Sequence, residues 1–488
     1  MKLIKGIALS ALVLSFYASC KEDEKEEPVV SGNPVELKSH SVTPSLMKLS
    51  PEFSSVEVYP LISSEDKLVN TPNFIYGSMA DGAGLIKNTD GTFTLINNIE
   101  ADYSIARITL DNTFKPVGGE YILNAVATAS TAQCSGSLIT PAEHGFGPLY
   151  LSGGEWGGSS NGVFVTDPFK SAGSASSPEM LTAMGEWSTE NAVVIGKDAY
   201  PGKTVVFIGD DHADNTVPSG QLGMYVGNRG DLYGGKLYGL KVTSSNINYE
   251  MDMAEGTSYD MEFVELLEKD LDKLDVEAKQ KGVMGFSRLE DIDWRRGDAN
   301  AQREIYFAVT GRKKADLIGK GTVYGRVYKV ELNDNDPTKG GKITCVLDGD
   351  KIGGKAKMFH SPDNIVVTEN YAYIQEDPNG YPDNADKNHF ASLYQYNLNT
   401  GVIKKVMECD QNKAESLGYG VASTAWEITG MIDISNTVGK DKTFLMITQN
   451  HGWEKTGGET FTDPLANSDI AGSSKEGSVM YIVKGLAR

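Results

Sequence analysis

One stretch of the sequence decides the fold class: Gly285-Phe286-Ser287-Arg288-Leu289-Glu290-Asp291-Ile292-Asp293-Trp294, with Ile305-Tyr306-Phe307-Ala308-Val309-Thr310 after it. Both runs are typical of β-strands, and acidic residues stand beside them where loops are expected. Two further acidic motifs follow, Ser361-Pro362-Asp363-Asn364 and Ile374-Gln375-Glu376-Asp377-Pro378-Asn379-Gly380. Loops on a rigid β scaffold can point their carboxylates at one place, and such oxygen donors suit Ca²⁺ or another cation that holds phosphate. The sequence therefore predicts an all-β fold with a metal site.

Short strand-like runs continue outward from this stretch, over more than 350 residues. They are separated by clusters of Gly, Asn and Asp, which indicates repeated antiparallel hairpins. Examples are Phe93-Thr94-Leu95-Ile96, Thr204-Val205-Val206-Phe207-Ile208, Val327-Tyr328-Lys329-Val330 and Thr443-Phe444-Leu445-Met446-Ile447. Radial repetition buries each sheet without long free edges, so this pattern favours a β-propeller over a single sandwich. No clean internal repeat is visible, and the number of blades does not follow from periodicity.

One segment departs from the strand pattern. Asp260 to Lys281 carries apolar residues at helical spacing, with acids and lysines between them, and predicts an amphipathic helix. The apolar residues are Phe263, Leu266, Leu267, Leu271 and Leu274. We expect a helical insertion packed on the propeller surface, and the alternative is a mobile lid over the site.

The first residues indicate a targeting signal. Met1 to Lys5 is basic, Gly6 to Phe16 is apolar but short for a membrane span, and Tyr17-Ala18-Ser19-Cys20 places small residues before a cysteine. This resembles a bacterial lipoprotein signal, which implies removal of residues 1–19 and lipidation of Cys20. The acidic segment after it resembles the surface-export tag of Bacteroidetes lipoproteins, so residues 20–45 are expected to form a tether. We expect an outer-membrane lipoprotein at the cell surface. Periplasm-facing anchoring and a plain secretory signal are the alternatives.

Composition narrows the choice of partners. The chain of 488 residues has a formal charge of −21, which becomes −23 if residues 1–19 are removed with their two lysines. This charge argues against nucleic acid as a partner, and it would repel a phosphoester unless bound cations reversed the local field. Besides Cys20, three cysteines remain, too few for a disulfide framework. Residues 46–488 are expected to form one domain and the protein to be a monomer.

Motifs along residues 75–455 resemble those of the PhoX-type alkaline phosphatases, in the family's order. They include the stretch at Arg288 and Glu290, and also Asp81-Gly82-Ala83-Gly84, Asn98-Ile99-Glu100, Thr189-Glu190-Asn191-Ala192, Ile208-Gly209-Asp210-Asp211, Pro362-Asp363-Asn364, Gln375-Glu376-Asp377, Trp426-Glu427-Ile428-Thr429-Gly430 and Ile447-Thr448-Gln449-Asn450-His451-Gly452. The resemblance implies a six-bladed propeller with Ca²⁺ ions and an iron pair in its central mouth. It also implies that this metal centre hydrolyses phosphomonoesters.

The resemblance also assigns roles to residues. Arg288 takes the phosphate-binding position and, with Glu290, is the catalytic candidate. A planar guanidinium can hold two phosphate oxygens, and residues two apart on a strand point to the same side. The metal candidates are Glu143, Glu190, Glu290 and Asp377, with Glu100, Asp211, Asp363, Glu376 and Glu427 as weaker candidates.

Three positions differ from the family pattern. The family's Cys-Glu-Glu segment, whose cysteine bridges the irons, corresponds to Pro141-Ala142-Glu143. Its Asn-His-Glu becomes Asn98-Ile99-Glu100, and its His-Glu becomes Thr189-Glu190. Loss of a thiolate and two imidazoles favours an all-oxygen Ca²⁺ site over an iron pair. Cys134 lies seven residues before Pro141 and is not expected to replace the cysteine.

These observations favour a Ca²⁺-dependent phosphoesterase that acts on a phosphorylated small molecule. A non-catalytic lipoprotein that binds a ligand for an outer-membrane transporter is the main alternative, and a lactone- or phytate-hydrolysing propeller is another. Two sets of residues are expected to be structural. They are the isolated histidines His144, His212, His360 and His451, and the tryptophans Trp187, Trp294, Trp426 and Trp453.

Overall fold

A computed structural model describes residues 33–378, 380, 382, 384–455, 457, 459–468 and 476–488. The predicted signal peptide, Cys20, the first part of the tether and Asn379 lie outside the described residues. The strands in chain order are β1 Met47–Leu49, β2 Glu57–Ser63, β3 Ala80–Lys87, β4 Phe93–Ile99, β5 Ser104–Leu110, β6 Pro116–Leu123, β7 Gln133–Ile139, β8 Leu149–Gly154, β9 Gly162–Thr166, β10 Thr189–Val194, β11 Lys203–Asp210, β12 Leu222–Asn228, β13 Lys236–Val242, β14 Ser258–Leu266, β15 Leu289–Trp294, β16 Glu304–Val309, β17 Arg326–Glu331, β18 Gly341–Asp348, β19 Pro362–Val367, β20 Tyr371–Glu376, β21 Ser392–Asn397, β22 Ile403–Cys409, β23 Glu427–Asp433, β24 Thr443–Asn450 and β25 Gly477–Lys484.

Within the described residues these strands form five antiparallel sheets. Their orders are β3-β4-β5-β6, β7-β8-β9, β10-β11-β12-β13-β14-β18-β17-β16-β15, β1-β22-β21-β20-β19 and β2-β25-β24-β23. Most neighbouring strands are also neighbours in sequence, as the predicted hairpins require. The last two sheets differ, because each takes a strand from the beginning of the described chain: β1 pairs with β22, and β2 pairs with β25.

The innermost strands pack side by side around a common axis. β3 contacts β7, β7 contacts β10, and the series continues through β15, β19 and β23 back to β3. Apolar clusters fill the spaces between successive sheets. Trp187, Trp294, Trp426 and Trp453 are all buried there, as the sequence predicts. The all-β, propeller-like prediction is confirmed.

The α-helices are α1 Pro141–His144, α2 Leu271–Lys281, α3 Gln411–Leu417 and α4 Ser435–Val438. The helix predicted over Asp260–Lys281 is therefore wrong in its first part, which belongs to strand β14. There Met261 and Phe263 are buried on one side of the strand, a period of two that the helical spacing had obscured. Residues Leu274 and Ala278 of α2 pack into the apolar cluster around Trp187. None of the helices in the described part is long and apolar enough to cross a membrane.

Candidate metal centre

Each innermost strand begins with an acid or a thiol in an equivalent position. It is the second residue of β3, β7, β10, β15 and β19, and the first residue of β23. The six residues are Asp81, Cys134, Glu190, Glu290, Asp363 and Glu427, and all are buried. We call this set the inner ring. Because its strands adjoin one another around the axis, the charges of its members act on one another.

A β-bulge follows the inner-ring residue in every innermost strand except β23, where it lies slightly later. In β15, for example, the pairing register with β16 shifts between Leu289 and Ile292. A bulge bends the strand and redirects its side chains. The freed carboxylate of Asp291 accepts the backbone N–H of Ile365 in the neighbouring strand β19, at 3.0 Å. The bulges therefore turn the inner-ring side chains out of the regular strand pattern. The side chain of Asp291 in one such bulge links two adjacent innermost strands.

A second set of polar residues follows the next strand of each hairpin. Antiparallel pairing brings the end of that strand beside the start of the innermost one, as the pairs Ala80–Ile99 and Leu289–Val309 show. These residues, which we call the outer ring, are Glu100, Glu155, Asp211, Thr310, Asp377 and His451. Direct contacts join the rings: Cys134 Sγ lies 2.9 Å from Glu155 Oε2, and the Thr310 hydroxyl donates to Glu290 Oε1 at 2.8 Å and lies 3.5 Å from Asp363 Oδ1.

Cys134 lies at the junction of two groups of possible metal ligands. One atom each from Cys134, Asp81 and Glu100 lie within 4.8 Å of one another, and the same holds for Cys134, Glu155 and Glu190. The thiol thus has the position of a ligand shared between two cations. The structure thus brings a thiol among the possible metal ligands, where the sequence analysis expects oxygen donors only.

The structure does not bring Pro141-Ala142-Glu143, the segment matched to the family's cysteine segment, to the rings. Cys134 is at the start of β7, whereas Pro141 and Glu143 are on α1 beyond its other end. At about 3.3 Å per residue the strand separates Cys134 from Pro141 by roughly 20 Å. Glu143 is exposed there and is not brought to the rings.

Glu376 is also directed away from the rings. As the last residue of β20 it points to the side opposite Asp377, since successive side chains alternate. Its carboxylate accepts the backbone N–H groups of His360 and Ser392, at 2.9 and 3.0 Å, and contacts His389 Nε2 at 2.9 Å. These contacts satisfy Glu376 locally. The other acidic candidates, Glu100, Glu190, Asp211, Glu290, Asp363, Asp377 and Glu427, all belong to the two rings.

Arg288 spans two acids of the rings. Its Nε and Nη2 donate to Asp211 at 3.0–3.2 Å, and Nη2 lies 2.9 Å from Glu290 Oε1. The expected strand geometry is not the cause, because Arg288 precedes β15 and has a positive φ of 68°. Instead, buried Glu250 accepts the N–H of Ser287 at 2.9 Å and so holds the turn before Arg288. Its guanidinium remains one-fifth exposed.

The carboxyl groups of the rings are crowded. Burial and then neighbouring carboxylates raise the pKa of Asp81, Glu155, Glu190, Asp363 and Glu427 well above the usual range. Burial raises the pKa of Glu290 to about 8, although Arg288 opposes the shift. Burial and the nearby acids also raise the pKa of the Cys134 thiol. Nine carboxyl groups thus face one guanidinium and His451, and bound cations would relieve the repulsion.

His451 is not an isolated loop residue. Its Nδ1 lies 2.6 Å from Glu476 Oε2, and the same carboxylate accepts the N–H of Gly452 at 2.9 Å. Burial lowers the pKa of His451, but the Glu476 contact outweighs burial and raises it. The outer ring therefore contains an imidazole that Glu476 holds in one orientation.

Several ring residues were missed as site residues from sequence: Asp81, Cys134, Glu155, Thr310 and His451. A signal existed in the innermost strands, where a short unit recurs with an acid or cysteine at its centre. The units are Ala80-Asp81-Gly82, Gln133-Cys134-Ser135, Thr189-Glu190-Asn191, Leu289-Glu290-Asp291, Pro362-Asp363-Asn364 and Trp426-Glu427-Ile428. Unequal spacing between the units conceals this repeat.

Comparison with known proteins agrees with this geometry. The family model "Alkaline phosphatase PhoX" matches residues 162–452, more than half of the chain. Among solved structures, Pseudomonas fluorescens PhoX in complex with vanadate, a transition state analogue, is similar with a TM-score of 0.63 and 16% identity. The similarity covers 92% of this chain and 98% of that one. The Neurospora crassa Pan2 WD40 domain matches at a TM-score of 0.35 and 7% identity, over 88% of this chain and 96% of that one. No curated protein matches in sequence. The chain belongs to the PhoX alkaline phosphatase family.

Proposed function

We propose that this protein is a metal-dependent phosphomonoesterase whose metal centre is formed by the two rings. One observation carries the proposal: nine carboxyl groups and a thiol converge on one buried place, beside a single partly exposed arginine. Such a set of acids is electrostatically costly without cations and suits several bound ions. Membership of the PhoX family supports the same activity.

The donor set fits two kinds of cation. Cys134 with Asp81, Glu100, Glu155 and Glu190 offers a soft thiolate among carboxylates, which suits iron or zinc. Asp211, Asp363, Asp377 and Glu427 offer oxygen only, which suits Ca²⁺. We propose calcium at the oxygen-only positions and a thiolate-bound transition metal at Cys134. When bound, these ions would neutralise phosphoryl charge and make a water molecule acidic enough to attack.

The chain's own groups then bind and orient the substrate. Arg288 presents a guanidinium edge to the phosphoryl oxygens, and its contacts with Asp211 and Glu290 hold that edge in place. Thr310 fixes Glu290 by a hydrogen bond of 2.8 Å. His451, held by Glu476, is a proton donor at the rim of the same site.

Two finer features belong to this proposal. We propose six blades, with the nine-stranded sheet counted as two, β10–β14 and β15–β18. The ring contacts of the innermost strands and the repeated ring positions support this count. We also propose that Cys20 anchors the protein to the outer membrane with the site facing outward, which rests on the sequence of residues 1–28.

Hydrolysis by purified protein tests the proposal. Protein prepared without chelators should hydrolyse p-nitrophenyl phosphate, and Arg288→Ala should lower kcat/KM by about 100-fold, as expected for loss of a charge-assisted contact of roughly 3 kcal/mol. Arg295→Ala is the matched control, because Arg295 pairs with Glu304 on the outer strand β16. Metal-loaded protein inactive on a broad panel of phosphomonoesters would instead favour the ligand-binding alternative.

A further inference from the structure

We propose that Trp156 is a specificity residue that stacks on the alcohol portion of the substrate, so that the protein prefers phosphomonoesters carrying an aromatic ring near the phosphate. This inference rests on the proposed function and specifies its substrate class. The observations that carry it are the exposure of Trp156, its fixed geometry and its place between ring residues.

Trp156 differs from the four tryptophans that fill the blade cores. It is 41% exposed, whereas each of the others is at most 3% exposed. It follows Glu155 directly and so stands at the mouth of the site. The other large exposed aromatic residues of the described part, Phe169 and Tyr233, follow β9 and β12 at the end of the sheets opposite the rings. The exposed part of the indole is therefore open to a ligand at the mouth of the site.

The indole is held in one orientation before any ligand binds. Its Nε1 donates to Glu100 Oε1 at 2.8 Å, and its ring meets the ring of Tyr103 edge to face, with centroids 6.0 Å apart. The backbone of Trp156 accepts the N–H of Ala132 at 2.9 Å. A rigid aromatic surface binds a planar group at little entropic cost.

The loop that carries Trp156 leaves little room for movement. Gly158 lies two residues after Trp156, and a Cβ atom on it would lie 2.2 Å from the carbonyl oxygen of Ala129. Backbone packing this close explains the glycine and fixes the loop against the turn before β7. The indole therefore keeps its position relative to Cys134, the second residue of that strand.

The position of Trp156 relative to Arg288 defines the substrate. Glu155 connects the two, since it contacts Cys134 at 2.9 Å and lies close enough to Asp211, the main partner of Arg288, for the Asp211 carboxylate to raise the pKa of Glu155. In this proposal, a phosphoryl group held by Arg288 has its ester oxygen on the side of the mouth that carries the indole. A ring one or a few bonds from that oxygen would lie against Trp156, as in a benzyl ester or a nucleoside 5′-monophosphate.

Kinetics with matched esters test this proposal. Benzyl phosphate and ethyl phosphate have alkyl leaving groups and differ in the ring, and adenosine monophosphate places a ring farther away. For Trp156→Leu, we expect kcat/KM to fall about tenfold for the two ring-bearing esters, mostly through KM, in keeping with measured losses of aromatic stacking. The loss for ethyl phosphate should be much smaller. Tyr233→Leu removes an exposed ring at the opposite end and should leave all three rates unchanged.

Two more variants separate stacking from the hydrogen bond to Glu100. Trp156→Phe keeps a ring without the N–H, and Trp156→Gln keeps a donor without a ring. If Trp156 acts by stacking, Trp156→Phe should retain most of the preference for ring-bearing esters over ethyl phosphate, and Trp156→Gln should lose it. The proposal is overturned if Phe lowers the rates of all three esters equally while Gln restores them, because Trp156 would then only position Glu100.

A binding measurement separates this proposal from the phosphatase proposal. Benzylphosphonate cannot be hydrolysed, and it should protect Trp156 fluorescence from acrylamide quenching more than ethylphosphonate does, with Trp156→Phe as the reference. Protection without turnover of any ester would support the aromatic contact and contradict the hydrolase. Turnover of all three esters without protection or preference would do the opposite.

Discussion

At the scale of single residues, Cys134 determines which metal the site can select. Thiolates favour transition metals over calcium, and Cys134 is the one sulfur ligand in either ring. Cys134→Ser should therefore abolish transition-metal content while calcium content stays the same, as elemental analysis of protein purified without chelators would measure. Cys409→Ser is the matched control, because Cys409 is equally buried but lies in β22. Equal metal content in both variants would contradict a ligand role for the thiol.

His144 is a residue whose titration should affect folding rather than activity. Burial lowers its pKa to about 4, and Thr140 donates its N–H to the ring at 2.9 Å. The folded state thus holds a neutral imidazole, whereas the unfolded chain titrates near 6.5. The neutral His144 ring therefore contributes to the free energy of unfolding. This contribution is fully present above about pH 6.5 and is lost as pH falls through about 4, a loss of roughly 3 kcal/mol.

The measurement is the free energy of unfolding at pH 7 and pH 4. Wild-type protein should lose about 3 kcal/mol more than His144→Gln between these values. His212→Gln, in a partly exposed loop, should follow the wild type. Parallel losses in wild type and His144→Gln would show that His144 is not responsible.

At the scale of elements, a glycine determines how closely β11 approaches the innermost strand β15. A Cβ on Gly209 would lie 2.4 Å from the backbone oxygen of Glu290, so Gly209→Ala must displace an inner-ring residue. We expect a loss of roughly 1–3 kcal/mol in stability, together with reduced metal content. Gly118→Ala is the control in β6, where the nearest atom is 3.6 Å away, and should cost about 0.5 kcal/mol or less. Unfolding curves and metal analysis of both variants check the prediction.

The element scale also shows what could be predicted from sequence. The strands could be predicted from sequence because β-branched and aromatic runs alternate with turn residues. The acids Glu190, Glu290 and Asp363 could be predicted from the family motifs. The strand at 260–266 could not be recognised from sequence, because its apolar residues fit both helical and strand spacing. Cys134 is absent from the sequence-based candidates because linear alignment places it seven residues too early, and only the path of β7 shows which end of the strand faces the axis. Glu376 and Asp377 are adjacent in sequence, and only the pleat separates their roles.

At the scale of the whole molecule, metal binding should stabilise every sheet, since each sheet contributes ring residues. Ions that bind only the folded state raise its stability by about 4 kcal/mol at a thousand times their Kd. Treatment with chelator should therefore lower Tm by several degrees, as calorimetry would record, and added calcium should restore part of the loss. Glu290→Gln should lower this metal-dependent increment, whereas Glu143→Gln, exposed on α1, should retain it. An unchanged Tm after complete metal removal would contradict this prediction.

The pairing of β2 with β25 has a consequence for how the protein acquires its ions. Glu427 of β23 joins the inner ring beside Asp81 only when the last sheet is complete, and that sheet needs strands from both ends of the chain. A chain in which β25 has not yet paired therefore lacks a complete inner ring. Because metal binding is coupled to folding, the protein binds the ions that are present where β25 pairs with β2 and β24. Protein refolded in excess calcium and protein refolded in excess of a transition metal should therefore carry different ions on an identical sequence, as elemental analysis would show.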